Sequence, residues 1–380
     1  MNNELRQRHS DSDAASDDDR AELERLREAI DRADREILAR LNERARRVQR
    51  VGELKQRLDV GVYSAGRERD LVEALIAANP GPFPDAGVAP VFREIVSATR
   101  SLEATLSVAF LGPEATNCHR AARDAFGEQA TYVAVPTIPE VFAAVERGLA
   151  QHGVVPVENT SEGVVTAALD TLATSRLPIC GERLLRISHQ LLSRSGRRED
   201  VRRVASHPQA LAQCRGWLDR CLPGVERVET ASTVAAARLA AQDAQVAAIA
   251  GRLAAEQEGL AIVAPDIEDR RDNTTRFLVL GGDEPEASGR DVTCVVFTVR
   301  KSESGALHRL LAPFSDQGVN LASIQSRPQK DTPWEYLFFF DLEGHASDAP
   351  VRRALEAAAE HASSCRVLGS FPRARSGGGD

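Results

Sequence analysis

Residues 21–58 read AELERLREAIDRADREILARLNERARRVQRVGELKQRL. Placed on a helix at ~100° per residue, Leu23, Leu26, Ile30, Ile37, Leu41, Val48 and Val51 form one apolar stripe, and two cations, Arg44 and Lys55, fall inside it about 20° apart. No Asp or Glu lies in that arc: Glu22 and Asp34 sit near its edges, at least roughly 15 Å along the axis from Arg44. An unpartnered buried cation is costly, so an anion is expected to reach the stripe from outside the helix. A small carboxylate ligand is one reading, and snorkelling of both stems to the edge of a helical bundle is the other. The lysine favours the ligand. Among 48 Lys and Arg residues only Lys55, Lys301 and Lys330 are lysines, so one retained in an apolar stripe stands out. The helix is also ~57 Å long at 1.5 Å per residue, too long for a lone small domain, and it predicts a partner helix from a second chain.

The rest of the composition narrows the function classes. The chain has 380 residues, room for two or three domains, and a formal charge of −8. No basic block or aromatic-basic interleaving points to nucleic acid, and no apolar run reaches the ~20 residues of a membrane span. Six cysteines (Cys118, Cys180, Cys214, Cys221, Cys294, Cys365) are scattered without metal-ligand spacing or a preceding secretory signal, and are expected to be reduced thiols of a cytoplasmic protein. The eight histidines form no cluster, and neither a metal nor a cofactor is expected.

Outward from the long helix, residues 1–20 are rich in Asp, Ser and Arg and read as a disordered leader. Two further helices, about Arg67 to Ala78 and about Pro90 to Leu106, flank a loop with Pro80, Pro82 and Pro84, completing an all-helical module over 21–104. In the last helix Phe92, Ile95, Val96, Thr99, Leu102, Glu103 and Leu106 share a face, so Glu103 must be protonated or meet a cation. Over 105–283, short apolar runs alternate with helical segments: Ser107–Leu111, Thr131–Val135, Val154–Val157, Leu184–Leu192, Val246–Ala250, Ile262–Ala264 and Phe277–Leu280. This predicts a two-lobed α/β domain with largely parallel sheets, its ligands beyond the carboxyl ends of the strands near Gly112, Glu158 and Asn159. After an acidic linker, residues 290–372 follow the order βαββαβ of a ferredoxin-like α+β domain, and 373–380 read as a disordered tail.

The segments Val155-Pro156-Val157-Glu158-Asn159-Thr160-Ser161-Glu162-Gly163, Ser206-His207-Pro208-Gln209 and Asp272-Asn273-Thr274-Thr275-Arg276-Phe277 together resemble the prephenate dehydratase family. Gly305-Ala306-Leu307 and Ser326-Arg327-Pro328 resemble an ACT domain of the aromatic-amino-acid type, and the helical module is similar to an all-helical chorismate mutase. The order of the three, from about residue 21 to 372, resembles the bifunctional chorismate mutase/prephenate dehydratase family. That resemblance implies a periplasmic-binding-protein-like middle domain, chorismate and prephenate as substrates, phenylalanine as an allosteric inhibitor and a homo-oligomer built through the long helix.

The mutase rearrangement is a pericyclic shift of a dianion, which needs pre-placed cations and donors and no nucleophile. The resemblance assigns Arg27, Arg44, Lys55 and Arg67 to the carboxylates and ether oxygen, Glu68 to the ring hydroxyl, and Thr99 and Glu103 to the far side. Arg27 lies roughly 100° around the helix from Arg44, so the two do not face one pocket in one subunit. The resemblance agrees, since the first Arg of such a helix reaches into the partner's site. Glu103 donates to the ether oxygen only when protonated, so mutase activity is expected to fall above neutral pH.

For the dehydratase the resemblance makes Thr275 the acid at the departing hydroxyl and Arg276 the anchor of the side-chain carboxylate. Thr116, Glu158, Asn159, Thr160, Ser161, Asn273 and Phe277 are expected around the same substrate; His207 is either a helix cap or a supporting group, and His189 a core residue. The first motif departs from the family's Gly-Pro-any-Gly-Thr-aromatic-Ser pattern, reading Gly112-Pro113-Glu114-Ala115-Thr116-Asn117-Cys118, and Ala168 replaces a usual Thr. Ala115 is strained if the turn needs positive φ, and Cys118 bonds more weakly than Ser. The alternative function is a mutase whose silent dehydratase-like domain acts as a phenylalanine-responsive binding module. The effector is expected to meet Gly305, Ala306, Leu307, Gln325, Ser326, Arg327 and Pro328; Gln325 replaces the usual acid, which either weakens feedback or is neutral.

Overall fold

The computed structural model describes residues 2–58, 65–103, 106–300, 304–329 and 335–374; the tail beyond 374 and the expected strand start at Trp334 lie outside them. Helix α1 runs Asn2–Leu58, so residues 2–20 continue the helix and are not the disordered leader their composition suggested. The cause is local: no Gly or Pro interrupts the chain before Gly52, and propagation costs little once a helix is nucleated. Ion pairs one turn apart, such as Arg27–Glu24 at 2.7 Å and Arg47–Glu43 at 2.6 Å, line its surface. Its apolar stripe is largely uncovered, with Leu23 47%, Leu26 53%, Ile30 60% and Ile37 56% exposed. Helix α3 (Asp85–Arg100) packs on its C-terminal part, and helix α2 (Ala65–Ala77) packs against α3. Helix α3 starts and stops about five residues earlier than its sequence pattern suggested, leaving Glu103 on a closing turn.

The middle region forms two lobes. The first holds β1 (Ser107–Leu111), α4 (Asn117–Phe126), β2 (Thr131–Val135), α5 (Ile138–Glu146), β3 (His152–Asn159), β4 (Gly163–Val164), α6 (Thr166–Thr174) and β5 (Ile179–Arg186). The second holds β6 (Gln190–Ser193), β7 (Arg203–Ser206), α7 (Pro208–Gln213), α8 (Arg215–Cys221), β8 (Glu226–Glu229), α9 (Thr233–Gln242), β9 (Val246–Ala250), α10 (Arg252–Glu258) and β10 (Ala261–Ala264). The chain then returns to the first lobe as β11 (Thr274–Leu280), giving sheet orders β2-β1-β3-β11-β5 and β10-β6-β9-β7-β8, with β4 on β3. Both sheets are mixed, which corrects the expectation of largely parallel pairing. Strand β11 enters from the other lobe and runs antiparallel to both β3 and β5.

The expected single strand 184–192 is two strands in different lobes, broken at the crossing. The two crossings are tied together: Ile187 N–H donates to Asn273 O at 2.8 Å, Ile267 N–H to His189 O at 2.8 Å, and the buried Glu268 accepts from Arg186 and from His189 N–H. The C-terminal domain is β12 (Asp291–Arg300), α11 (Ala306–Asp316), β13 (Leu321–Pro328), β14 (Glu335–Glu343), α12 (Ala349–Ala359) and β15 (Ser364–Pro372), an antiparallel sheet in the order β13-β14-β12-β15. One face of that sheet shares a continuous core with the first lobe, Val292, Phe339 and Phe371 packing with Val155, Ile179 and Leu278.

Candidate active sites

Three helices bring the first set of polar residues together. Arg44 on α1 donates to Thr99 Oγ on α3, whose own hydroxyl donates to Ile95 O at 2.7 Å. Lys55, three turns further along α1, places Nζ 4.0 Å from Glu103, which satisfies the requirement for a cation with a lysine. Glu103 Oε2 is nevertheless buried with no hydrogen-bond partner among the described residues. Gly52 makes this approach possible: a Cβ there would fall 2.9 Å from Glu103 Cγ. Glu68 on α2 faces the same region. Burial lowers the pKa of Arg44, while Glu68 and Glu103 oppose that shift; burial raises the pKa of Glu68, against the pull of Arg100, Arg183 and Arg44. Arg67 is on the exposed side of α2. Arg27 pairs with Glu24 on the exposed N-terminal half of α1, roughly 25 Å along the axis from Arg44, and so takes no part in this chain's own pocket.

The second set lies where β3 and β11 open toward the second lobe. Asn159 donates from Nδ2 to Asn273 Oδ1 and to Thr275 Oγ, both at 2.8 Å, and its Oδ1 accepts from Ser161 and Glu162 N–H at 2.9 and 3.1 Å. Because Thr275 Oγ accepts from Asn159, its own proton is left to be donated elsewhere. Thr160 ties the same strand ends, accepting from Thr274 N–H at 2.9 Å. Thr116 caps α4, accepting from His119 N–H, and Ala115 before it has φ 62°, the left-handed conformation a glycine adopts freely. From the second lobe, Gln209 and Gln213 donate to Glu162, bridging the cleft. His207 is the cap of α7, its Nδ1 accepting from Gln209 N–H, and His189 is a core residue bonded to Gln213 at 2.8 Å.

Three expected members of this set lie elsewhere. Side chains alternate along a strand, and Arg276 faces away from Thr275. It bonds Glu182 at 2.7 Å and Asp341 of the C-terminal domain; burial lowers its pKa, but Asp341, Cys294 and Glu182 outweigh that and raise it. Glu158 lines the interdomain cavity beside Arg276 and Asp341, and Phe277 is a core side chain 1% exposed. The effector set divides by the same rule. Ser326 and Pro328 are exposed on one face of β13 with Leu307 also exposed beyond Gly305, which is left-handed, and Ala306, the first residue of α11. Gln325 and Arg327 point to the other face, Gln325 into the interdomain cavity and Arg327 to Asp170 of α6 at 3.0–3.2 Å.

A helical module that gathers cations around a buried acid, a two-lobed cleft with a threonine at its floor, and a ferredoxin-like domain docked behind it define a multidomain enzyme with an attached regulatory unit. Residues 26–104 match the family model of chorismate mutase type II, 108–285 that of prephenate dehydratase and 295–360 that of the ACT domain. A bifunctional chorismate mutase/prephenate dehydratase of Aquifex aeolicus (strain VF5) is 44% identical over 357 residues, covering 93% of this chain and 98% of its own. One of Neisseria gonorrhoeae (strain ATCC 700825 / FA 1090) is 46% identical over 351 residues, covering 92% and 96%. A prephenate dehydratase of Arthrobacter aurescens, solved in complex with L-Phe, superposes with a TM-score of 0.65 at 39% identity over 70% of this chain and 90% of its own. The chain belongs to the bifunctional chorismate mutase/prephenate dehydratase family.

Sequence inspection missed Gly52, Arg100 and Arg183. Gly52 left a usable signal, a glycine in a long helix that otherwise lacks one.

Proposed function

We propose that the protein converts chorismate to prephenate in the helical pocket and prephenate to phenylpyruvate in the cleft between the lobes, with feedback by phenylalanine at the ACT domain. In the pocket Arg44 and Lys55 bind the dianion, Thr99 and Glu103 face the ether oxygen, and Glu68 accepts from the ring hydroxyl. Preplaced charge of this kind stabilises the oxygen as its bond breaks and holds the compact conformer. Arg27 and the exposed stripe of α1 serve a second copy of the chain. The pairing of those stripes covers an otherwise wet apolar face and delivers Arg27 to the partner's pocket.

In the cleft Thr275 donates to the departing hydroxyl while Asn159, bonded to its oxygen, fixes its orientation. The ring carboxylate then leaves as carbon dioxide and the ring becomes aromatic. A cation clamped on that carboxylate would oppose its loss, and Arg276, engaged with Glu182 and Asp341, supplies none. Phenylalanine is assigned to the side of β13 that carries Ser326 and Pro328, with the Gly305–Leu307 turn; Gln325 points away from it, so its replacement of an acid leaves that face unchanged. Six free cysteines fit a reducing cytoplasm.

The observation that carries the reading is the bond from Asn159 to Thr275 in a chain whose other domain brings Arg44, Lys55 and Glu103 together. Supplying chorismate and then prephenate to the purified protein, and following phenylpyruvate absorbance, tests both steps. Phenylpyruvate from either substrate is expected. Loss of chorismate with accumulation of prephenate alone favours the silent-domain alternative.

A further inference from the structure

Ser97 and Arg100 lie on the side of α3 turned toward the dehydratase domain, and both hold one atom of it. Ser97 Oγ donates to Phe126 O at 3.1 Å, and Arg100 Nη2 donates to the same carbonyl. Phe126 ends α4, and Gly127 caps it at φ 74°, where a Cβ would lie 2.3 Å from Ser97 Cβ; only glycine lets α3 come this close. The cation also sits at the negative end of α4. From its other nitrogen Arg100 donates to Glu68, and the arginine side chain is only 8% exposed.

We infer that Arg100 is a positioning residue for the mutase reaction, fixed by the Phe126 carbonyl of the dehydratase domain and in turn fixing Glu68 in the helical pocket. The inference rests on the assignment of that pocket to chorismate. A planar guanidinium serves two acceptors in fixed directions at once, which an ammonium on a flexible stem does not. Its charge has a second consequence. Glu68 accepts from a ring hydroxyl as a carboxylate, and burial pushes its pKa up; Arg100, then Arg183 from β5 of the dehydratase domain and Arg44 from α1, oppose that rise. Glu103 is the other acid near Arg44. Mutase activity is therefore lost as pH falls through the pKa of Glu68, and removing a facing cation moves that loss to higher pH. On this basis the mutase site is completed by the domain next to it in the chain.

The test is the pH profile of mutase kcat/KM in the full chain, wild type against Arg100→Leu, Arg100→Lys, Arg183→Gln and Glu68→Gln. Arg100→Leu is expected to raise KM on the order of tenfold at neutral pH and to move the acid limb up by about one pH unit. Arg100→Lys is expected between it and wild type, and Arg183→Gln to move the limb in the same direction by less. A wild-type profile for Arg100→Leu, with Glu68→Gln impaired, overturns the inference alone. Unimpaired Glu68→Gln overturns the role of Glu68 and this inference with it. If Arg100→Leu does not fold, judged by dehydratase turnover of prephenate, unshifted limbs in both Arg100→Lys and Arg183→Gln overturn the inference equally.

Discussion

At the scale of single residues, the alternation of a strand decides which neighbours in one motif share a task. Thr275 and Arg276 are adjacent in sequence, yet Thr275 joins Asn159 at the cleft while Arg276 crosses to Asp341. Thr275→Ala is expected to lower dehydratase turnover about a hundredfold or more while the mutase rate stays at wild type. Retained turnover of prephenate would remove Thr275 from the chemistry. Ala115 carries a backbone conformation that suits glycine, and Ala115→Gly is expected to stabilise the protein by about 1 kcal/mol in a denaturant titration. The strain at Ala115 was legible because one glycine of a turn motif was missing. The partners of Arg276 were not: alternation alone places it opposite Thr275, but Asp341 is distant in sequence and in another domain.

At the scale of elements, the C-terminal sheet is fastened to the first lobe by a shared core and by arginines reaching across. Arg276 bonds Asp341, Arg327 bonds Asp170, and Arg366 donates to Leu172, Ala173 and Ser175 carbonyls at the end of α6. Arg276 is the most enclosed of these ion pairs, with Glu182 buried and Asp341 mostly covered beside it. Arg276→Met leaves Glu182 and Asp341 without their cation, and thermal or denaturant unfolding is expected to show a loss of about 3 kcal/mol. Unchanged stability would mean that the shared core alone holds the domain. The elements themselves were largely legible: βαββαβ appears in the expected order because its apolar runs and turns are local features. The mixed sheets were not, since no local pattern reveals that β11 returns from the other lobe and inserts between β3 and β5.

At the scale of the whole molecule, the long helix is the element that this single chain leaves unfinished. Its C-terminal third supplies Arg44 and Lys55 to a pocket shared with α2 and α3, while the stripe from Leu23 to Ile37 faces water. The two cations were legible as an anomaly in an apolar pattern, and so was the separation of Arg27 from Arg44, because helical geometry is regular. Of the acids that meet them, Glu103 was legible as an acid on an apolar face, whereas Glu68 was reached only through resemblance. The most direct test of the proposed assembly pairs Arg27→Ala chains with Arg44→Ala chains. Each is expected to be nearly inactive as a mutase when produced alone. If Arg27 serves the partner's pocket, a mixed dimer assembles one intact site from Arg44 of one chain and Arg27 of the other, and random pairing restores about a quarter of wild-type mutase activity. A co-produced mixture as inactive as its parents would contradict the shared site.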